Sequence, residues 1–329
     1  MIMKNVYIEC PYTTDEEKRC HTVAYINEMI TEGHASQLVA EGEAYQEEQL
    51  ARIAKDICSR PDVRVVLLAG PSSSGKTSAS HRLCLQLLAC EKKPVALSLD
   101  NWFVNGDVTP LDENGNKDYE SVYAVDLQQL ETDLKALIAG QEIALPTFNF
   151  HKSRREYLGD TLQLEKDSIL VLEGIHALNP LLTEHIDANR KYKVYVAPMR
   201  PVSLDGEHWV STQYHRLLRR MSRDLRTRGK SPADTIASWP SVCEGERKWI
   251  EPFRKEADAE FDTSMRYELP TIRWTVETAL QTVPAVSPEY ETAEQLLFYL
   301  SFFEPLDAAL IPRTSLLREF IGGSQFNVG

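Results

Sequence analysis

From Val63 onward the chain alternates short apolar runs with stretches of helical periodicity. VRVVLLAG (63–70), PVALSLD (94–100), SILVLEG (168–174) and YKVYVA (192–197) read as strands, and SASHRLCLQLLAC (78–90) and LQQLETDLKALIAG (127–140) as helices between them. That alternation predicts parallel βαβ units, hence an α/β fold with a parallel sheet between two helical layers, a three-layer αβα sandwich. Residues 14–59 are charged and poor in Gly and Pro, and Leu50, Ile53, Ala54 and Ile57 recur at helical spacing before Pro61, which predicts one or two helices ahead of the sheet. ALPTFNFHKSRREYLGDTLQLE (144–165) reads as a hairpin or flap, and NWFVNGDVTPLDENGNKDYE (101–120) as a long polar loop of the kind that serves function. After Pro284 a separate tail begins, with a helix-like AEQLLFYLSFFEPL and then IPRTSLLREFIGGSQF. The expected organisation is a helical extension (1–60), a central α/β domain (61–283) and a helical tail (284–329).

Composition narrows the choices. The 329 residues carry 49 acidic and 36 basic side chains, a formal net charge of -13, with 43% hydrophobic and 26% charged residues. A chain of this make-up buries a core and is not disordered as a whole. Its charge repels phosphate backbones and anionic bilayers, so neither nucleic acid nor membrane is an expected partner. The six cysteines form no CxxC pair and no zinc-type spacing, and the start MIMKNVYIECPYTTDEEKRC has no apolar signal stretch, so reduced thiols and a cytoplasmic location are expected.

The chemistry concentrates in four places. Gly70-Pro71-Ser72-Ser73-Ser74-Gly75-Lys76-Thr77 fits GxxxxGK[ST], in which backbone amides cradle phosphates, the Lys reaches β/γ oxygens and the Thr hydroxyl binds Mg²⁺. It leaves an apolar strand and opens a helix whose N-terminus faces the anion, and Ser78 is counted with the cradle. Asp100 ends the second strand and Glu173 the third, at the sheet edge where α/β folds bind ligands, where each carboxylate suits a metal and Asp100 also suits a hydroxyl proton. In YHRLLRRMSRDLRTRGK (214–230), a helical wheel puts Tyr214, Leu217, Leu218, Met221 and Leu225 on a buried arc and Arg216, Arg219, Arg220 and Arg223 on the opposite one, a comb for phosphate. Trp102 either walls the acceptor pocket or packs under its loop, and His176 reads as structural rather than nucleotide-contacting. Phe298, Phe302 and Phe303 with Leu296, Leu297 and Leu300 read as core or as contact with a second copy of the chain.

Taken together GPSSSGKT, LDNWF, DYESVYAVD, PTFNF, LEGIH and RRMSRDLRTRG resemble, over about residues 63–270, the uridine kinase and phosphoribulokinase group of P-loop NTPase kinases, most nearly the uridine kinases. The resemblance implies that Asp100 is the base toward a nucleoside 5′-hydroxyl and that Glu173 is the metal-linked acid, with Thr77 and Asp100 completing the metal set. It further implies that Phe103, Tyr119, Glu120 and Phe148 contact the nucleoside and that Arg220, Arg223 and Arg228 are lid arginines, Arg220 also touching the acceptor. The chain departs from the uridine kinase pattern in having Phe148 and Ser153 in place of a tyrosine and a base-reading histidine, with His151 two places early, and Lys230 in place of a further lid arginine. The ending LLREFIGGS is similar to that of longer bacterial nucleoside kinases with an N-terminal TGS-type domain, which this chain is expected to lack.

The expected activity is therefore transfer of the γ-phosphoryl of ATP, with Mg²⁺, to uridine or cytidine. Two alternatives stay open. Lys152, Arg154 and Arg155 in the flap would suit a kinase for a sugar phosphate or other small metabolite, and the phosphate loop alone would also serve an NTP-binding regulatory switch.

Overall fold

The structure, a computed structural model, describes residues 7–113, 115–150 and 152–328. His151 therefore lies outside the described residues. In chain order a two-residue strand β1 (Tyr7–Ile8) and helices α1 (Asp15–Cys20), α2 (Val23–Thr31) and α3 (Ala35–Ser59) precede β2 (Val65–Ala69), α4 (Lys76–Ala89) and β3 (Lys93–Ser98). Next come α5 (Leu127–Ile138), the hairpin β4 (Ile143–Asn149) and β5 (Arg154–Leu162), β6 (Ser168–Glu173), α6 (Pro180–Thr183) and β7 (Lys191–Ala197). Two short strands, β8 (Val202–Ser203) and β9 (Trp209–Val210), lead to α7 (Thr212–Thr227), α8 (Pro232–Trp249), β10 (Ala259–Asp262), α9 (Glu268–Leu280), α10 (Tyr290–Ser301) and α11 (Arg318–Ile321).

The N-terminal segment forms three helices where periodicity predicts one or two. Thr14 caps α1 in a reciprocal capping box with Glu17, and the Thr22 hydroxyl accepts from the Tyr25 amide, so a fresh helix starts within a few residues of the previous one.

The central sheet has the order β10-β7-β2-β6-β3, and every neighbouring pair is parallel. Its inner strands β2 and β6 are buried along their whole length, as a sheet covered by helices on each side requires, while the edge strand β3 is only partly covered. Val66 and Leu68 of β2, Ile169 and Val171 of β6, and Tyr192, Val194 and Val196 of β7 face one core, shared with α3, α4, α7 and α9. Val65, Leu67 and Ala69, with Leu170, Leu172, Tyr195 and Ala197, face the other, built from α5, the hairpin and the 99–125 loop. β10 was missed in the sequence because Ala259–Asp262 offers one large apolar residue, Phe261, between two acids.

The N-terminal helices α2 and α3 and the C-terminal tail are both built into the first core. Leu316, Leu317 and Phe320 of the tail are fully buried there, and burial of each such side chain stabilises by roughly 1.5–3 kcal/mol. Leu296 and Leu300 of α10, with Phe303 just beyond it, join the core while Phe298 stands 64% exposed. Trp102 is fully buried and donates Nε1–H to Asp133 at 2.8 Å, so it packs beneath the loop.

β2 and β3 follow one another in sequence but β6 lies between them, which opens a crevice at the carboxyl ends of the strands. Gly70, Asp100 and Glu173 all leave strands at that end.

Candidate active site

The loop 70–75 joins β2 to α4, and Gly75 turns it with φ 90°, a left-handed backbone that favours glycine. A Cβ there would also lie 2.5 Å from Leu316, so the tail closes against the loop. Ser73 adopts φ 59°, and the Ser73 and Ser74 hydroxyls are buried without hydrogen-bond partners. Lys76 opens the helix, is 8% exposed and donates Nζ–H to the Pro71 carbonyl at 3.1 Å. Burial pushes its pKa down, opposed by the charges of Glu173, Asp100, Glu319 and Glu120.

Parallel pairing brings the two strand-end acids together. Ser98 lies opposite Glu173 in the β3–β6 register, so Asp100 emerges two residues beyond that partner. Gly174 permits the approach, since a Cβ there would lie 2.6 Å from that of Leu99. The Thr77 hydroxyl donates to Glu173 Oε1 at 3.3 Å. Burial first, and then the Asp100 charge, raise the Glu173 pKa to about 7. Burial likewise raises Asp100, against the pull of Lys76, Arg228 and Arg223, although part of that residue stays open to solvent. Two carboxylates that resist ionising together, with a hydroxyl between helix and sheet, make an all-oxygen donor set suited to a hard divalent cation. No cluster of three or more His, Cys, Asp or Glu arranged for a metal occurs among the described residues.

The long loop and the hairpin bring an aromatic group to the same crevice. The Phe103 ring lies 6.1 Å from Tyr119 and 5.5 Å from Phe148, and the Phe148 and Phe150 rings lie 5.1 Å apart. Glu120 is beside them with Oε2 unpartnered, its pKa raised by burial and lowered by Arg220 and Lys76. The His176 ring, 1% exposed, lies against the Glu120 and Ser121 backbone, and burial lowers its pKa to about 4. Phe150 was not singled out in the sequence, although it lies two residues beyond Phe148 in the same hairpin strand end.

The arginines of α7 correct the expected comb. Both faces of this helix are buried, and Arg216, Arg219 and Arg220 are among its buried residues. Arg219 is fully enclosed, donates Nε–H to Glu268 at 2.9 Å and reaches Thr263, while His215 meets the same carboxylate at 2.6 Å. Arg216 pairs with Glu246 at 2.6 Å and donates to the Ser72 carbonyl at 3.3 Å. Arg220 alone reaches a loop hydroxyl, donating to Ser72 Oγ at 2.6 Å. Arg220, Arg223 and Arg228 converge on Asp224, which is fully buried, at 3.6, 2.8 and 3.7 Å. Like charges thus coexist because one buried acid gathers them, and the lone acid in a seven-base segment was the signal available for it. Burial and the neighbouring arginines still lower Arg228, to about 10, and Arg228 stands over the Phe150 ring at 5.4 Å.

Because breaking a buried ion pair leaves its partner charge uncompensated, Glu268→Ala is expected to destabilise the fold by about 3–5 kcal/mol, read as a lower urea midpoint. An unchanged midpoint would remove Arg219 and His215 from the structural account.

Ser78 also differs from expectation. Its amide and hydroxyl donate to Glu319 Oε2 at 3.1 and 2.9 Å, so both are already occupied by a side chain of the tail. In the flap, the exposed Lys152 pairs with Glu156 at 3.0 Å and Arg155 with Asp126 at 2.9 Å, while Arg154 is exposed. Two surface cavities of about 390 and 470 Å³ lie elsewhere, one against α1–α3 and one at the opposite end of the sheet around Arg60 and Lys193.

The model of the Phosphoribulokinase / Uridine kinase family matches residues 65–269. The uridine kinase of Lactobacillus helveticus (strain DPC 4571) is 28% identical over 195 residues, 59% of this chain and 83% of that protein. That of Macrococcus caseolyticus (strain JCSC5402) is 29% identical over 197 residues, 59% and 85% respectively. A solved structure described as a possible uridine kinase from Bacillus stearothermophilus aligns at 18% identity with a TM-score of 0.44, over 65% of this chain and 98% of that one.

Proposed function

The chain belongs to the phosphoribulokinase / uridine kinase family of phosphotransferases acting on hydroxyl groups, and on that premise we propose that it moves the γ-phosphoryl of ATP to the 5′-hydroxyl of a pyrimidine nucleoside. The observation that carries the acceptor reading is the gathering of Phe103, Tyr119 and Phe148 with the unpartnered Glu120 carboxylate beside Asp100 and the phosphate loop. Aromatic walls take a flat base, and a buried carboxylate accepts hydrogen bonds from ribose hydroxyls. A sugar phosphate needs free cations in the acceptor pocket, and two of the three in the flap are already paired.

Phosphoryl transfer depends mainly on positioning and on neutralising charge. The amides of Ser72–Thr77 and the Lys76 ammonium would hold the β- and γ-phosphates. Arg220, Arg223 and Arg228, only partly satisfied by a shared Asp224, would turn to the phosphates as the site fills. Thr77, Glu173 and Asp100 would hold Mg²⁺, which when bound offsets charge on the transferred group. Asp100 would take the 5′-hydroxyl proton, as a general base at the end of β3.

Selectivity between bases should be low. Phe148 lacks the hydroxyl of a tyrosine, and pocket shape alone separates close analogues by only about 10- to 200-fold. Uridine and cytidine are expected to be phosphorylated with similar kcat/KM and other nucleosides weakly, measured with a panel that includes phosphorylated sugars. Activity confined to a phosphorylated sugar would transfer the acceptor site to the flap cations.

The lid reading has its own test. Arg220→Ala combined with Arg223→Ala should cost about 10- to 100-fold in turnover, the worth of one or two charge-assisted contacts, with a smaller stability loss than Glu268→Ala. A double variant with full activity would show that these arginines serve the fold alone.

A further inference from the structure

The tail residue Glu319 lies outside residues 65–269, the part of the chain shared with the family, yet it reaches the first turn of the phosphate-loop helix. Lys76, Thr77 and Ser78 are the first three residues of α4, whose amides have no partner within the helix. In a phosphate loop the Lys serves β/γ oxygens and the backbone amides serve α/β, so Ser78, one residue deeper than Thr77, addresses the phosphate on the nucleoside side of the donor. Here both Ser78 donors are held by one Glu319 oxygen, at 3.1 Å from the amide and 2.9 Å from the hydroxyl.

Glu319 is held there by its surroundings. Its carbonyl accepts from Arg226 at 2.9 Å, and that of Phe320 accepts from Ser222 at 3.2 Å, both donors lying on the lid helix α7. Leu316, Leu317 and Phe320 are fully buried, and Leu316 packs against Gly75. The backbone of the tail is therefore anchored, while the side chain carries a negative charge into the turn that receives phosphate.

We infer that the Glu319 carboxylate is a resident competitor for the donor's α-phosphate, occupying the Ser78 amide and hydroxyl until ATP displaces it. The inference rests on the kinase reading for its donor and is independent of the acceptor. Two like charges cannot share those donors, so ATP binding requires the Glu319 side chain to swing aside, and the observed affinity is reduced by the fraction of molecules in which it has not. Glu319 is thus a positioning residue that sets donor affinity without touching the transferred phosphoryl group.

The test is calorimetric binding of Mg·ATP, without acceptor, to the full chain and to its Glu319→Gln and Glu319→Ala variants, each checked for folding by circular dichroism. The neutral amide competes less well and alanine not at all, so Kd should fall by roughly 3- to 10-fold, with alanine at least as tight as glutamine. A direct competitor keeps that gain at about 0.5 M salt, whereas a mere field effect is screened. Should alanine unfold the tail, glutamine, which retains an acceptor for Ser78, decides alone. Unchanged or weaker binding in the glutamine variant, or a gain abolished by salt, overturns the inference while leaving the kinase reading intact. Absence of ATP binding from all three proteins overturns both.

Discussion

Lys76→Ala is expected to lower turnover by roughly 10²- to 10³-fold, the scale for losing one preorganised electrostatic group. Lys76 is nearly enclosed, and the acids that act on it, Glu173, Asp100, Glu319 and Glu120, surround the same crevice. Its ammonium is thus placed to offset both those carboxylates and an incoming triphosphate. The Pro71 carbonyl it now contacts is a weak, neutral partner that a phosphate oxygen outbids. Alanine leaves the acids to repel the donor, so KM for ATP should rise as turnover falls. Steady-state rates with saturating acceptor check this, and near-normal turnover would remove the phosphate-loop reading.

Asp100→Asn should lower phosphoryl transfer by about 10²-fold or more while ATP binding stays largely intact. Asparagine keeps the size of the side chain and loses the ability to accept a proton, so kcat and kcat/KM for the acceptor should fall together. The substitution also removes the charge that helps raise Glu173, which should make that carboxyl more acidic. Transfer unchanged at saturating acceptor would reduce Asp100 to a turn residue at the end of β3.

What the sequence revealed follows the range of the interactions involved. The phosphate loop is encoded within eight consecutive residues, and the two strand-end acids by short apolar runs that stop at Asp100 and Glu173, so all three could be placed before the fold was known. The hairpin was legible for the same reason. The arginine segment was misread because a helical wheel separates apolar from charged arcs but does not show that Arg219 finds Glu268 on another helix, 49 residues away. Ser78 and Glu319 are 241 residues apart, and no local pattern in LLREFIGGS points to α4. Base selectivity was the least legible feature, because it depends on hydrogen-bond partners that the departures at Phe148 and Ser153 take away.

The central claim, γ-phosphoryl transfer from ATP to a nucleoside hydroxyl, is tested most directly by incubating the protein with Mg²⁺, γ-phosphate-labelled ATP and uridine or cytidine, and separating the products by chromatography. Label should appear in the nucleoside 5′-monophosphate in step with ADP. ADP accompanied only by free labelled phosphate, with no labelled nucleoside, would contradict it.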